Sequence, residues 1–141
     1  MSEIKVDTLT GKTTANDITV TVGASATMSL EQGLVKTWIA FDGSAATAHD
    51  SLNVASETDN GTGDYTFNFT SNFNAAKAYT SGQSVQLVSS SYMGSFIAGA
   101  SVVLTSSIQV RPTRNTSGGM LDSDYNTINC CGDLAQWQVK L

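Results

Sequence analysis

The residues in this chain that could do chemistry are few. His49 is the only histidine among 141 residues, and Asp50 follows it directly. A His-Asp pair could orient a general base for a nucleophile, but none of the many serines lies in a Gly-x-Ser-x-Gly turn. Acid–base hydrolysis would need two carboxylates facing one cleft. The candidates are Glu31, Glu57, Asp59, Asp64, Asp122, Asp124 and Asp133. Asp59 and Asp64 bracket a Gly-rich turn, and turn chemistry alone accounts for them. The runs Asp59-Asn60-Gly61-Thr62-Gly63-Asp64 and Asp122-Ser123-Asp124 offer oxygen ligands without the spacing of an EF-hand loop. Gly118-Gly119 lacks the Lys-Ser/Thr that completes a phosphate-binding loop. No catalytic residue, metal ligand or cofactor is expected.

Sugar recognition asks for less: aromatic rings beside amides, hydroxyls and carboxylates. Tyr79, Tyr92 and Tyr125 fall in expected loops with Ser, Asn and Asp nearby, and loops on a rigid β scaffold are where recognition concentrates. These three are the candidate ligand or receptor contacts. Cys130 and Cys131 are adjacent, and the expectation is two free thiols, one of them facing the core.

The composition limits the partners. Charged residues make up 13% and the formal net charge is −5, so nothing favours nucleic acid electrostatically. No run is apolar for long enough to span a bilayer. The start, Met1-Ser2-Glu3-Ile4-Lys5, is not a basic stretch followed by an apolar one, which leads us to expect synthesis in a cytoplasm without a signal peptide.

The elements that must carry these residues are short strands. Ile4 and Val6 alternate with polar neighbours, as do Ile18, Val20 and Val22, and Leu9-Thr10-Gly11-Lys12 reads as the turn between the two runs. Such a hairpin buries too little to stand alone. It must lie on its own domain, a neighbouring subunit or a particle, and Ile4, Val6, Leu9, Ile18, Val20 and Val22 are the candidate contacts with a subunit or particle. A turn of helix or a bend is expected at residues 29–33.

Residues 34–41 read as a strand with Val35, Thr37, Ile39 and Phe41 on one face and Trp38 on the other, covered on both sides. Residues 51–56 read as one strand with Leu52 and Val54 inward. The run Asp59-Asn60-Gly61-Thr62-Gly63 is the clearest hairpin signal, and in the next strand Tyr65, Phe67 and Phe69 alternate with Thr66, Asn68 and Thr70. A loop is expected over residues 71–82, strands around Val85, Leu87 and Val88, around residues 102–104 and at Ile108 and Val110, a long loop from Arg111-Pro112, and a closing strand at residues 137–141. The sum is an all-β chain, an antiparallel β-sandwich of jelly-roll-like build over residues 29–141, preceded by an N-terminal attachment segment over residues 1–28.

The run Gly33-Leu34-Val35-Lys36-Thr37-Trp38, the turn Thr58-Asp59-Asn60-Gly61-Thr62-Gly63-Asp64-Tyr65 and the opening Ser2-Glu3-Ile4-Lys5-Val6-Asp7-Thr8-Leu9-Thr10-Gly11 resemble tail-fibre-like and receptor-binding virion proteins of tailed bacteriophages, marine ones in particular. The resemblance covers residues 1–73 best, with a weaker echo at Gly132-Asp133-Leu134-Ala135. It departs at Asp42-Gly43-Ser44, where an Asn-rich turn is the family habit, and at Ala48-His49-Asp50, where a basic residue often precedes Asp-Ser. The resemblance implies a non-enzymatic homotrimer in the virion, made in the host cytoplasm and joined to other virion proteins. It also implies contact with a host surface glycan or protein. Two further readings share the fold, a capsid decoration or head-fibre protein and a monomeric carbohydrate-binding module. An enzyme would need turnover that vanishes with His49→Ala or with loss of a carboxylate pair.

Overall fold

The computed structural model describes residues 5–9, 18–22, 25–76, 79–86, 97–113 and 119–135. The chain divides into two compact units, Met1–Leu34 and Val35–Leu141.

In the first unit, β1 (Thr19–Val22) pairs antiparallel with β2 (Ala26–Ser29), in the register Thr19↔Ser29 to Val22↔Ala26. The hairpin is thus not the expected one, since residues 5–9 carry no strand and the partner of β1 lies on its C-terminal side. A three-residue connection closes this pair at a smaller entropic cost than the long return from residue 6 to residue 18. The expected helical turn is α1 (Leu30–Gly33), and the Leu30 N–H donates to the Ile18 carbonyl at 2.8 Å.

The second unit is a β-sandwich-like pair of antiparallel sheets. Its strands are β3 (Thr37–Asp42), β4 (Thr47–Leu52), β5 (Val54–Gly61), β6 (Asp64–Phe69), β7 (Thr80–Gln86), β8 (Ile97–Val103), β9 (Ser107–Thr113) and β10 (Tyr125–Cys131). One sheet has the order β4-β3-β10-β7 and the other β5-β6-β9-β8.

Period-two alternation aims one face of each sheet inward. Thr37, Ile39 and Phe41 of β3 are buried, as are Tyr65, Phe67 and Phe69 of β6, while the residues between them are half-buried. Ile108 and Val110 of β9 and Ile128 and Cys130 of β10 complete the core with Phe73 and Tyr79. Phe41 spans the two sheets, meeting Tyr65 at 4.7 Å and Phe67 at 5.2 Å between ring centroids, both edge-on. Edge-on contacts place the positive rim of one ring against the negative face of the other.

Four expectations change. The strand foreseen over residues 51–56 is two strands, split at Asn53, whose φ of 59° is left-handed. Asn adopts that conformation more readily than most residues. Its side chain holds the corner by donating to Thr37 Oγ1 at 3.0 Å and to the Ser71 carbonyl at 3.0 Å and accepting the Ser71 N–H at 2.6 Å. Because the chain passes there from one sheet to the other, Val54 packs on the core but Leu52 is 46% exposed.

Val35 precedes β3 and is exposed, so the strand starts later than its apolar pattern suggests. Pro112 does not open a loop but lies buried inside β9, paired with Ala98. The pairing of β9 with β6 ends at Val110, and beyond it that side of β9 meets, among the described residues, only the short segment at Met120 and Leu121, so the missing N–H breaks no ladder with β6.

The interior strand β10 had no apolar alternation to reveal it. Its inward residues are Asn126, Ile128 and Cys130. Asn126 can stand in the core because its amide is satisfied. Nδ2 donates to the Ser123 carbonyl at 3.0 Å and Oδ1 accepts from the Ser123 hydroxyl. The expected strand at residues 137–141 lies outside the described residues, as do Leu87 and Val88.

Candidate functional site

The outward faces of the two sheets differ in chemistry. On β6 and its neighbours the outward groups bond to one another. Asn68 Nδ2 donates to Ser56 Oγ at 3.1 Å, and Asn60 Nδ2 to Thr66 Oγ1 at 2.9 Å. Asp64 accepts from Gln109 Nε2 at 2.6 Å and from Arg111 Nε at 2.9 Å, with Arg111 Nη2 at 2.8 Å. Burial works to raise the Asp64 carboxyl, and the hydrogen bonds and charge supplied by Arg111 and Gln109 outweigh it, leaving it below 3.8.

A carboxyl held low in the folded state stabilises that state above its unfolded value. The contribution is lost as the pH falls below 3.8 and through the folded value. Arg111→Met is therefore expected to lower the urea midpoint at pH 7 more than at pH 2.5. Equal losses at both pH values would contradict the ion pair's part in stability.

The outward face of β4-β3-β10-β7 is different. Opposite residues line up as Leu52–Trp38–Asn129 and Asp50–Ala40–Thr127, with Tyr125 further along β10. The register shift between Ala40 and Phe41 inserts His49 as an extra residue in β4. Its imidazole reaches across β3 to the Tyr125 ring, with 6.4 Å between centroids and an interplanar angle of 27°. Trp38 is half-buried, and Leu52 and Tyr125 are 46% and 39% exposed. Gly82 of β7 makes space for Asn129, since a Cβ there would lie 2.6 Å from Asn129 Oδ1.

Several of the carboxylates weighed for catalysis make contacts within the fold. Asp122 Oδ1 accepts the Tyr65 hydroxyl at 2.5 Å and the Gly63 N–H at 2.7 Å, and the Gly43 carbonyl lies 3.0 Å from the same hydroxyl. Burial, with the Asp122 carboxylate beside it, pushes the Tyr65 phenol well above its usual range. Asp59 accepts the Gly61 N–H at 2.8 Å, and Asp42 accepts the Ser44 and Ala45 N–H groups at 2.9 and 3.0 Å, both turn-forming contacts. Asp50 accepts the N–H of its neighbour Ser51 at 2.8 Å. Among the described residues no group of three His, Cys, Asp or Glu side chains could hold a metal ion.

Of the three tyrosines expected to meet a ligand, Tyr79 is corrected. It is 8% exposed, stacked on Phe73 at 4.0 Å, and its hydroxyl donates to the Leu104 carbonyl at 3.0 Å. It belongs to the core because its one polar atom finds a carbonyl inside. Tyr92 lies outside the described residues. Tyr125 is exposed, but it opens a strand instead of sitting in a loop. Of the apolar N-terminal residues, Val6, Leu9 and Val20 are 55%, 61% and 36% exposed and Ile18 is half-buried. Val22 ends β1, and Ile4 lies outside the described residues.

Trp38 is the residue the loop-centred reading passed over as a contact. Its signal was present in the alternation of β3, which already set it on the face opposite Phe41.

Cys130 and Cys131 are free, Cys130 buried and Cys131 half-buried, as alternate residues of one strand must be. Burial, with Cys131 beside it, pushes the Cys130 thiol up to about 12. Under native conditions a maleimide is expected to modify Cys131 alone, and intact-mass analysis showing two adducts in the folded protein would contradict this. No protein-family model, curated protein or solved structure compared with this chain matches it.

Proposed function

We propose that the chain is a virion structural protein of a tailed bacteriophage, a tail-fibre-like homotrimeric module without enzymatic activity. Its N-terminal unit attaches to the particle or to neighbouring subunits, and its sandwich faces the host. One structural observation carries the reading beside the sequence resemblance. Among the described residues the first unit has a single two-stranded sheet, and Val6, Leu9, Val20 and Met28 stand 55%, 61%, 36% and 46% exposed on it and its flanking chain. Two strands do not hold themselves together in water, so these residues need a further surface to cover them.

The jelly-roll-like build belongs to this reading and is supported by the four-and-four division of the described sandwich strands, with β3 beside β10. Size-exclusion chromatography with light scattering tests the assembly. The expected mass is three times the 14.8 kDa of the chain. A stable monomer at micromolar concentration overturns the trimer. Antibody labelling of purified particles in the electron microscope tests the place in the virion, with the tail expected. Label on the capsid replaces the fibre with a decoration protein, and absence from the particle removes the virion reading.

A further inference from the structure

We propose that the outward face of the sheet β4-β3-β10-β7 binds a neutral saccharide chain, laid over Ala40 between Trp38 at one end and the Tyr125–His49 ring pair at the other. The two ends suit the apolar faces of pyranose rings, which carry C–H groups and cover aromatic surface well. Asn129 faces Trp38 and Thr127 faces Ala40 across the ladder, so Tyr125 stands four residues along β10 from the Trp38 level. That is about 13 Å of strand, enough for a short run of sugar units.

The ground between the rings is small and polar. Ala40 forms the floor, and the Thr127 hydroxyl, the Asn129 amide and the Asp50 carboxylate stand around it. The Asn129 and Thr127 side chains have no hydrogen-bond partner among the described residues, and Asn129 is exposed, so both are available to sugar hydroxyls. Among the described residues the opposite sheet offers no such site: outward groups of β5, β6 and β9 bond to one another, from Asn68–Ser56 to Asp64–Arg111, and none of these is aromatic.

Charge selects the kind of saccharide. Asp50 and Asp42 lie on this face beside the His49 ring, and none of Leu52, Trp38, Asn129, Ala40, Thr127 or Tyr125 aligned across it is basic. A uronate or sialate would meet the Asp50 and Asp42 carboxylates there, whereas a neutral chain meets acceptors for its hydroxyls. The inference rests on the virion reading only for the origin of the saccharide, a host surface.

The test uses the full chain on an array of neutral and acidic glycans, followed by titration with the best-bound soluble oligosaccharide. Neutral glycans are expected to be retained and acidic ones not. Trp38→Ala and Tyr125→Ala are each expected to weaken binding at least about tenfold, the loss of one stacked ring and its buried area. Trp38→Phe should restore part of the loss, Asp50→Asn should admit acidic glycans, and Asn68→Ala on the opposite face should change nothing. Tyr125→Ala, an exposed position, keeps the test decisive if Trp38→Ala fails to fold.

No retained glycan, a preference for acidic glycans, or wild-type binding by both alanine variants would overturn the proposal. So would Trp38→Ala lowering the mass of the assembly, which would place a second copy of the chain on this face. A monomer that binds neutral glycans keeps this inference and removes the trimer, and a trimer that binds none does the reverse.

Discussion

Gly63→Ala is expected to destabilise the fold by about 3–5 kcal/mol, more than a surface turn normally commands. Gly63 has a φ of +61°, and a Cβ on it would lie 2.5 Å from the Leu121 nitrogen and 2.7 Å from the Leu121 oxygen. The left-handed backbone alone costs about 1–3 kcal/mol for a residue with a side chain. The collision adds to this because it is with backbone, which cannot swing aside. Moving Leu121 would also draw Asp122 away from the Gly63 N–H and the Tyr65 hydroxyl, and Leu121 itself from the Pro112 carbonyl, to which its N–H donates at 3.2 Å.

Gly61, two residues earlier, provides the control. Its φ of +124° is also unusual, but nothing lies within 4 Å of a Cβ there. Gly61→Ala should cost only the backbone strain, about 1–3 kcal/mol. Urea denaturation of both variants at one protein concentration checks the pair. Equal losses would show that the segment carrying Leu121 does not press on the hairpin.

Phe41→Ala is expected to cost about 3–5 kcal/mol, and Trp38→Ala on the same strand much less. Phe41 is 1% exposed and wedged between Tyr65 and Phe67 of the other sheet, so its removal leaves a cavity at the only aromatic bridge between β3 and β6 among the described residues. Trp38, three residues earlier, faces outward beside Leu52 and Asn129 and is only half-buried. Its loss opens no cavity between the sheets. The two substitutions thus separate stability from surface function on one strand. Thermal and urea unfolding would measure the first, glycan titration the second. A Trp38→Ala variant as unstable as Phe41→Ala would mean that the outward face is itself packed against another surface.

Much of the fold is legible in the residues, for reasons local to each strand. The alternation Tyr65, Phe67, Phe69 needs one buried face, and the Asp59–Asp64 run needs glycine where φ is positive, so β6 and its hairpin could be placed from the chain alone. The same alternation put Ile39 and Phe41 on one face and Trp38 on the other, but both faces were expected to be covered, and the structure leaves Trp38 half-buried beside exposed Leu52 and Tyr125. What resisted were places where a distant contact overrides local pattern. β10 is an interior strand whose inward Asn126 is tolerated only because Ser123 and the β3 backbone satisfy its amide. Asn53 turns a run that reads as one strand into two, and Pro112 enters a strand where its neighbour has already ended. Tyr79 passes for a loop residue until Leu104 supplies an acceptor for its hydroxyl.

The candidate site divides in the same way. The amino-acid order by itself determined that Trp38 faces away from Phe41, because side chains along a strand alternate; that its face stays uncovered in the fold was not written there. It also determined that the chain is acidic, poor in charge and built of short strands. Only the tertiary structure decided that His49 bulges out of β4 to meet Tyr125 across β3, and that Asn129 comes to stand opposite Trp38. Those residues lie some ninety positions apart in the chain, on strands brought together by an antiparallel ladder. Strand periodicity says which face a residue takes, but it carries no information about which strand will lie beside it. That choice is made by the burial of both sheets' inner faces at once.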